Sequence, residues 1–112
     1  MQHDAILVTE DRDIVLLNLP ATPENFAEYA AAVLRCSDIE AFDLTTGVVL
    51  WLDEDGRDRW GYNAIVDNLV NRYGHTNSLH GPVLITGYGS HVNPLTPWDA
   101  DRILRELSDI TG

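Results

Sequence analysis

One continuous stretch, Val48–Ala64, constrains the fold of this chain more than any other segment. Its first five residues, Val48–Leu52, are apolar and indicate a buried β-strand. The acidic tetrapeptide Asp53–Gly56 follows and indicates a turn, in which Gly56 is expected to adopt a positive φ. The aromatic-glycine segment Trp60-Gly61-Tyr62 then leads into a helix that is expected to begin near Asn63. The segment therefore predicts a strand, a turn and a helix in close succession.

Apolar periodicity and turn residues predict the other elements. Strands are expected at Ala5–Thr9, Ile14–Asn18, Ile39–Leu44 and Val83–Thr86. One helix is expected from a Thr22 cap to about Cys36, another to end at Gly74, and the last to follow a Thr96 cap. The predicted order is ββαββαβα. It defines a single α+β domain, residues 1–112, with a mixed or antiparallel sheet packed by three helices.

The charge balance restricts the classes of partner. Eighteen Asp and Glu residues face seven Arg residues and no Lys, which gives a net charge of −11. Direct binding to nucleic acid is not expected, because contacts with phosphates require a basic surface. An acidic surface favours basic partners, or it imitates DNA by placing carboxylates where phosphates would lie. No apolar run is long enough to cross a bilayer and no export signal is recognised, so a cytoplasmic location is expected.

The acidic turn has the composition of a calcium-binding loop, but its spacing is wrong. With Gly56 at the sixth position of an EF-hand loop, the essential first and twelfth ligands would be Trp51 and Tyr62. The loop histidines also lack the spacing of a metal site; they are His75, His80 and His91. No metal and no cofactor is therefore predicted.

No catalytic residues are predicted either. No serine lies in a G-x-S-x-G motif, and Gly87-Tyr88-Gly89 lacks the third glycine of a dinucleotide-binding loop. Carboxylates are plentiful, but no pair lies in apolar surroundings that would separate the two pKa values. Cys36 is the only cysteine, so it cannot form an internal disulfide, and it is expected to be a small half-buried residue. A binding protein is favoured over an enzyme.

Aromatic and charged residues around the acidic turn are the candidates for binding. Trp60 lies beside charged residues, which allows two interpretations: an exposed interface hot spot, or a lid on the core. The other tryptophans, Trp51 and Trp98, are expected to pack. The predicted binding residues are Trp60, Tyr62, Asp53, Asp55, Asp58, Arg59 and Tyr88.

Leu50–Arg57, followed by Trp60-Gly61-Tyr62-Asn63, resembles the DUF3846 family. In that family a strand ending in an acidic (D/N)E(D/E)GK turn runs into a GLPxN element and a helix. Gly81–Gly87 and Thr96-Pro97 are similar to the family's later strand and helix cap. Arg57 replaces the family's Lys, and the Trp60 element departs from GLPxN. The resemblance implies a small protein of phages, plasmids and other mobile elements, and it carries over no catalytic residue.

These observations favour a non-enzymatic accessory protein that binds and modulates a host protein, in host takeover or anti-defence. One alternative is a small-ligand, nucleotide-like binding or sponge protein, with a pocket between Gly87-Tyr88-Gly89 and the Trp60 loop. A second alternative is an acidic DNA mimic. The sequence leaves open the identity of the partner, the oligomeric state, and whether the origin is a phage, a plasmid or a chromosome.

Overall fold

The strands form one sheet that is covered by helices on both faces. The computed structural model describes residues 4–112. Its strands are β1 Ala5–Val8, β2 Ile14–Leu17, β3 Ile39–Thr45, β4 Val48–Asp53, β5 Val83–Tyr88 and β6 Val92–Asn93. Its helices are α1 Phe26–Leu34, α2 Gly56–Arg59, α3 Ala64–Arg72 and α4 Pro97–Thr111. The sheet order is β2-β1-β5-β4-β3, with β6 added to β5, and every pairing is antiparallel. The predicted α+β class is confirmed.

Successive residues of each strand point to opposite faces, and this divides the core into two clusters. One cluster joins strand residues such as Leu50 and Ile85 to the apolar stripes of α3 and α4. The other joins Ala5 and Leu84 to α1. The α1 residues in this second cluster are Phe26, Ala30 and Leu34. The sheet is therefore the middle layer of three.

The central position of β4 explains its apolar run. β4 lies between β3 and β5, so side chains on both of its faces are covered. Trp51 packs as expected: its ring centroid is 4.9 Å from that of Phe26. Its Nε1 donates a hydrogen bond to Thr86 Oγ1 at 2.9 Å, which satisfies the indole N–H in a mostly apolar environment.

Trp98 was expected to pack, and that expectation is wrong. The side chain is 70% exposed in the first turn of α4. The buried stripe of α4 includes Ile103 and Leu107. Trp98 precedes Ile103 by five residues, which rotates it about 140° around the helix axis from that stripe. The ring therefore points away from the sheet.

The helix start predicted near Asn63 and the predicted Thr96 cap are confirmed. Asn63 Oδ1 accepts a hydrogen bond from the Val66 N–H at 3.1 Å and begins α3, and Thr96 caps α4 through the Asp99 N–H at 3.1 Å. Gly74 follows the end of α3 with φ +87°, in the left-handed region that glycine adopts at helix ends.

Two local predictions were wrong, and two short elements, α2 and β6, were not predicted. A 3₁₀ turn, Pro23–Asn25, precedes α1, so the N-cap position belongs to Asn25 and not to Thr22. Gly56 has no positive φ; it begins α2, and a Cβ there would lie 2.9 Å from the His80 carbonyl oxygen. β6 was not predicted, because two residues are too few to show a period.

Tyr73 connects the end of α3 to α4 and makes the stability of the fold depend on pH. Its hydroxyl donates a hydrogen bond to Glu106 at 2.7 Å. Burial, assisted by this acceptor, raises the pKa of Tyr73 to about 12, above its ordinary value of 10.0. The folded state therefore holds the phenolic proton more tightly than the unfolded chain. Its contribution to stability is complete below pH 10 and is lost as the pH rises to about 12.

We expect the melting temperature of the wild type to fall more steeply than that of Tyr73→Phe between pH 10 and about 12. Circular dichroism melts at several pH values would measure both slopes. Tyr88→Phe is the matched control, because it removes the same hydroxyl group from an exposed tyrosine. Parallel slopes for the wild type and Tyr73→Phe would contradict the assignment.

Candidate functional site

The strand order brings several separate acidic segments of the sequence to one end of the sheet. Val83, at the start of β5, pairs with Val8 on one side and with Leu52 on the other. The β1–β2 turn, the start of β3 and the loop after β4 are therefore neighbours. This "acidic end" holds nine of the eighteen carboxylate residues and four of the seven arginines. The carboxylates are Glu10, Asp11, Asp13, Asp38, Glu40, Asp53, Glu54, Asp55 and Asp58, and the arginines are Arg12, Arg35, Arg57 and Arg59.

Asp53 organises the loop that follows β4. Its side chain is only 1% exposed. Oδ1 accepts a hydrogen bond from the Asp55 N–H at 2.8 Å. Oδ2 accepts from Arg59 Nη1 at 2.8 Å and from Trp60 Nε1 at 2.9 Å. These three donors satisfy the buried carboxylate, so Asp53 fixes the loop and offers no surface for contact with a partner.

The Trp60 ring is held on three sides. The guanidinium groups of Arg35 and Arg59 lie 5.4 and 5.5 Å from the ring centroid, within the range of cation–π attraction. The ring also packs on the backbone of Gly81, where a Cβ would lie 2.6 Å from its Cγ and Cδ1. Gly81 has φ +81°, which glycine alone adopts readily. Half-buried and bonded to Asp53, Trp60 acts as a structural lid on this end of the sheet.

The remaining predicted residues of this loop are exposed. Asp55, Asp58 and Arg59 lie on its outer surface. Tyr62 is 47% exposed; its ring stands edge-on to that of His80, with 5.8 Å between the centroids. The Tyr62 hydroxyl donates to the Asp67 carboxylate, and this hydrogen bond raises the pKa of Tyr62. These two contacts fix the position of the exposed Tyr62 ring.

Tyr88 does not join this group. It ends β5, whereas the Trp60 ring contacts Gly81, just before β5 begins. The strand from Val83 to Tyr88 alone spans roughly 17 Å. Tyr88 is exposed near Trp51, with 6.3 Å between the ring centroids. The prediction of a pocket between the Gly87-Tyr88-Gly89 turn and the Trp60 loop is therefore wrong.

A different pocket lies at the acidic end. We call this cavity of about 240 Å³ the acidic pocket. Its apolar lining is Leu7, Val33, Trp60 and Pro82, and its polar lining is Thr9, Glu10, Asp11, Asp13 and Arg35. The sequence showed the acidic β1–β2 turn and Trp60 as separate features. Only the pairing of β1 with β5 places them around one cavity.

Two kinds of reactive side chain bear on the chemistry of this domain, the metal-ligating residues and the Cys36 thiol. Among residues 4–112, no three side chains of the metal-ligating types converge on a possible metal site. Burial raises the pKa of the Cys36 thiol, and the nearby Asp53 carboxylate raises it further. Since the thiolate is the reactive form, Cys36 is a poor nucleophile at neutral pH.

The fold is a small antiparallel α+β domain in which charged turns gather at one end of the sheet. The chain belongs to the DUF3846 family: the family model described as "Domain of unknown function (DUF3846)" matches residues 2–108. The resemblance inferred from Leu50–Arg57 is thereby confirmed. No curated protein and no solved structure matches the chain. Within residues 4–112, no helix has both the length and the hydrophobicity needed to span a membrane.

Proposed function

We propose that this domain is a non-enzymatic binding module that captures and modulates a host protein, as an accessory protein of a phage or other mobile element. The acidic pocket is the observation that carries the proposal. It combines an apolar floor with three carboxylate residues, Glu10, Asp11 and Asp13, which outnumber the one cationic residue of its lining, Arg35. This combination fits an arginine or lysine side chain of a partner protein.

The chemistry of such a side chain matches the pocket part by part. The aliphatic stem of Lys or Arg packs on apolar surface while its charged group reaches a polar rim. Here Leu7, Val33 and Pro82 would receive the stem, and the carboxylates would accept charge-assisted hydrogen bonds. Trp60 is already fixed by Asp53, so the floor is preorganised before the partner arrives. The net charge of −11 would also accelerate encounter with a basic surface.

The DNA-mimic function is the second candidate, because nine carboxylate residues gather at one end of the sheet. A mimic would occupy the DNA-binding surface of its target, so duplex DNA would compete with it. A partner held by one basic side chain in the acidic pocket would not itself need to bind DNA. Competition with duplex DNA therefore separates the two candidates. A nucleotide ligand is less well supported, because the carboxylates of the acidic pocket repel phosphate.

The test is quantitative capture of a partner from host lysate, followed by affinity measurements with the purified partner. We expect Asp11→Asn/Asp13→Asn to weaken binding at least about tenfold, because both changes remove rim charge. The matched control is Asp101→Asn/Asp109→Asn, which changes the net charge equally on α4, away from the pocket. Binding should also weaken as salt rises. Equal affinity for the pocket variant and the wild type would contradict the proposal.

A further inference from the structure

β2 is an open edge of the sheet with unusual composition. Within residues 4–112, β2 pairs with β1 and with no other strand. Its four residues, Ile14–Leu17, are all apolar, and Val15 and Leu16 are 40% and 39% exposed. Natural edge strands usually carry a charge, a proline or a bulge that prevents pairing with another chain. β2 has none of these devices in its sequence or its register with β1.

The opposite edge of the same sheet is protected. β3 carries Glu40 and Asp43, and its register with β4 shifts between Asp43 and Thr45. A second strand laid along β3 would meet two carboxylates and a distorted ladder. The domain therefore blocks one of its two edges and leaves the other suited to pairing.

The hydrogen-bonding pattern shows which groups of β2 are free. The Thr9 N–H donates to the Asp13 carbonyl oxygen at 2.9 Å, so Thr9 and Asp13 are a hydrogen-bonded pair. Such pairs alternate along an antiparallel ladder, which makes Leu7 and Val15 the next one. The N–H and C=O groups of Ile14 and Leu16 therefore point away from β1, toward the open edge.

We propose that β2 pairs with β2 of a second copy of this chain, in an antiparallel dimer with twofold symmetry. In the register that places Val15 opposite Val15 of the second copy, Ile14 of each chain lies opposite Leu16 of the other. Each of these two pairings forms two backbone hydrogen bonds, and every outward-pointing N–H and C=O of Ile14 and Leu16 gains a match. The sheet then continues across the axis, and the apolar side chains of β2 pack on one another.

Charge favours this direction of pairing. Antiparallel strands place the two acidic β1–β2 turns at opposite ends of the interface, where each meets the Asn18–Pro20 segment of the other copy. In that segment the Leu19 N–H donates to the Asp4 carboxylate at 3.0 Å. This direction of pairing keeps the two acidic turns apart, and the repulsion that remains comes from the Asp4 carboxylate near each turn and from the charge of −11 on each chain. That repulsion is screened by salt. The interface is a single short strand pair, so the dimer is weak and reversible.

The dimer has a consequence for binding. A twofold axis perpendicular to the sheet keeps both copies of α1 on the same side. The acidic pocket lies on that side, since Leu7 and Val33 of α1 line it. Two pockets would then face the same direction, which allows a partner with two basic sites to bind with increased avidity.

Sedimentation equilibrium of the full chain, at low and high salt, tests the proposal. We expect a monomer–dimer equilibrium that shifts toward dimer as salt rises. This sign is opposite to the one expected for capture of a basic partner, so failure of the dimer and failure of the proposed function are distinguishable. A chain that stays monomeric at all protein and salt concentrations would overturn the inference.

A matched pair of variants locates the interface. Val15→Lys places two ammonium groups opposite each other at the axis and should weaken the dimer at least about tenfold. Ala41→Lys makes the same charge change on the exposed face of β3 and should leave the dimer intact. Unchanged melting temperatures would show that both variants fold. Dimerisation of Val15→Lys with wild-type affinity would reject β2 as the interface.

Discussion

Replacing Asp53 by alanine is expected to lower the free energy of unfolding by about 3 kcal/mol. The change leaves Trp60 Nε1, the Asp55 N–H and one Arg59 N–H without their acceptor. The Trp60 donor is partly buried, so water replaces the lost carboxylate poorly, whereas Arg59 is nearly half exposed and recovers hydration. Urea denaturation, followed by circular dichroism, would measure the change.

Asp55→Ala is the matched control for this prediction. It removes a carboxylate two residues away whose side chain is exposed, and it should change stability by no more than about 0.5 kcal/mol. Trp60→Phe removes only the indole donor, and its effect should not add to that of Asp53→Ala, because both changes break the same hydrogen bond. Additive effects, or equal stability of Asp53→Ala and Asp55→Ala, would contradict the central role of Asp53.

The coupling of Asp53 to Trp60 changes how the binding function must be tested. The sequence allowed Trp60 to be either an exposed contact residue or a lid on the core. Its contacts with Asp53 and Gly81 mean that Trp60→Ala would loosen the loop itself. Loss of partner capture by that variant would not distinguish a contact residue from a structural one. The carboxylates of the β1–β2 turn make the cleaner test, because their side chains lie at the rim.

Features that depend on neighbouring residues in the chain were predictable. A helix cap such as Thr96 acts on backbone groups within three residues, and an apolar run such as Val48–Leu52 indicates a buried strand directly. The α+β class followed from these local signals. The β1–β5 pairing did not, because it joins distant segments whose register is set by packing of both sheet faces.

In the candidate site, too, local features were predictable and contacts between distant segments were not. Asp53 and Trp60 could be selected as important from their types and positions. Only the structure shows that the buried Asp53 carboxylate holds the Trp60 indole. The acidic pocket could not be predicted, because it requires the β1–β2 turn to lie beside the Trp60 loop. Tyr88 was grouped with that loop on composition, and the length of β5 separates them.

Replacing Asn63 by alanine is expected to be as destabilising as loss of Asp53, at about 3 kcal/mol. Asn63 is almost fully buried, and its amide serves three elements. Oδ1 caps α3, while Nδ2 donates to the carbonyl oxygens of Val8, at 3.1 Å, and Gly81, at 2.8 Å. Alanine removes the cap and leaves two buried carbonyl groups with one acceptor site each unsatisfied.

Thr96→Ala separates the contribution of a helix cap from that of the two carbonyl hydrogen bonds. It removes only a cap, at an exposed position, and should cost about 1 kcal/mol. Asn63→Asp keeps the acceptor for Val66 but turns an oxygen toward two carbonyl oxygens, so it should not restore stability at neutral pH. Urea denaturation would rank the three variants, and equal losses for Asn63→Ala and Thr96→Ala would show that the two carbonyl bonds contribute nothing. Because Asp53 fixes the start of the Trp60 loop and Asn63 fixes its end, both variants should also reduce partner binding, even though neither side chain reaches the surface.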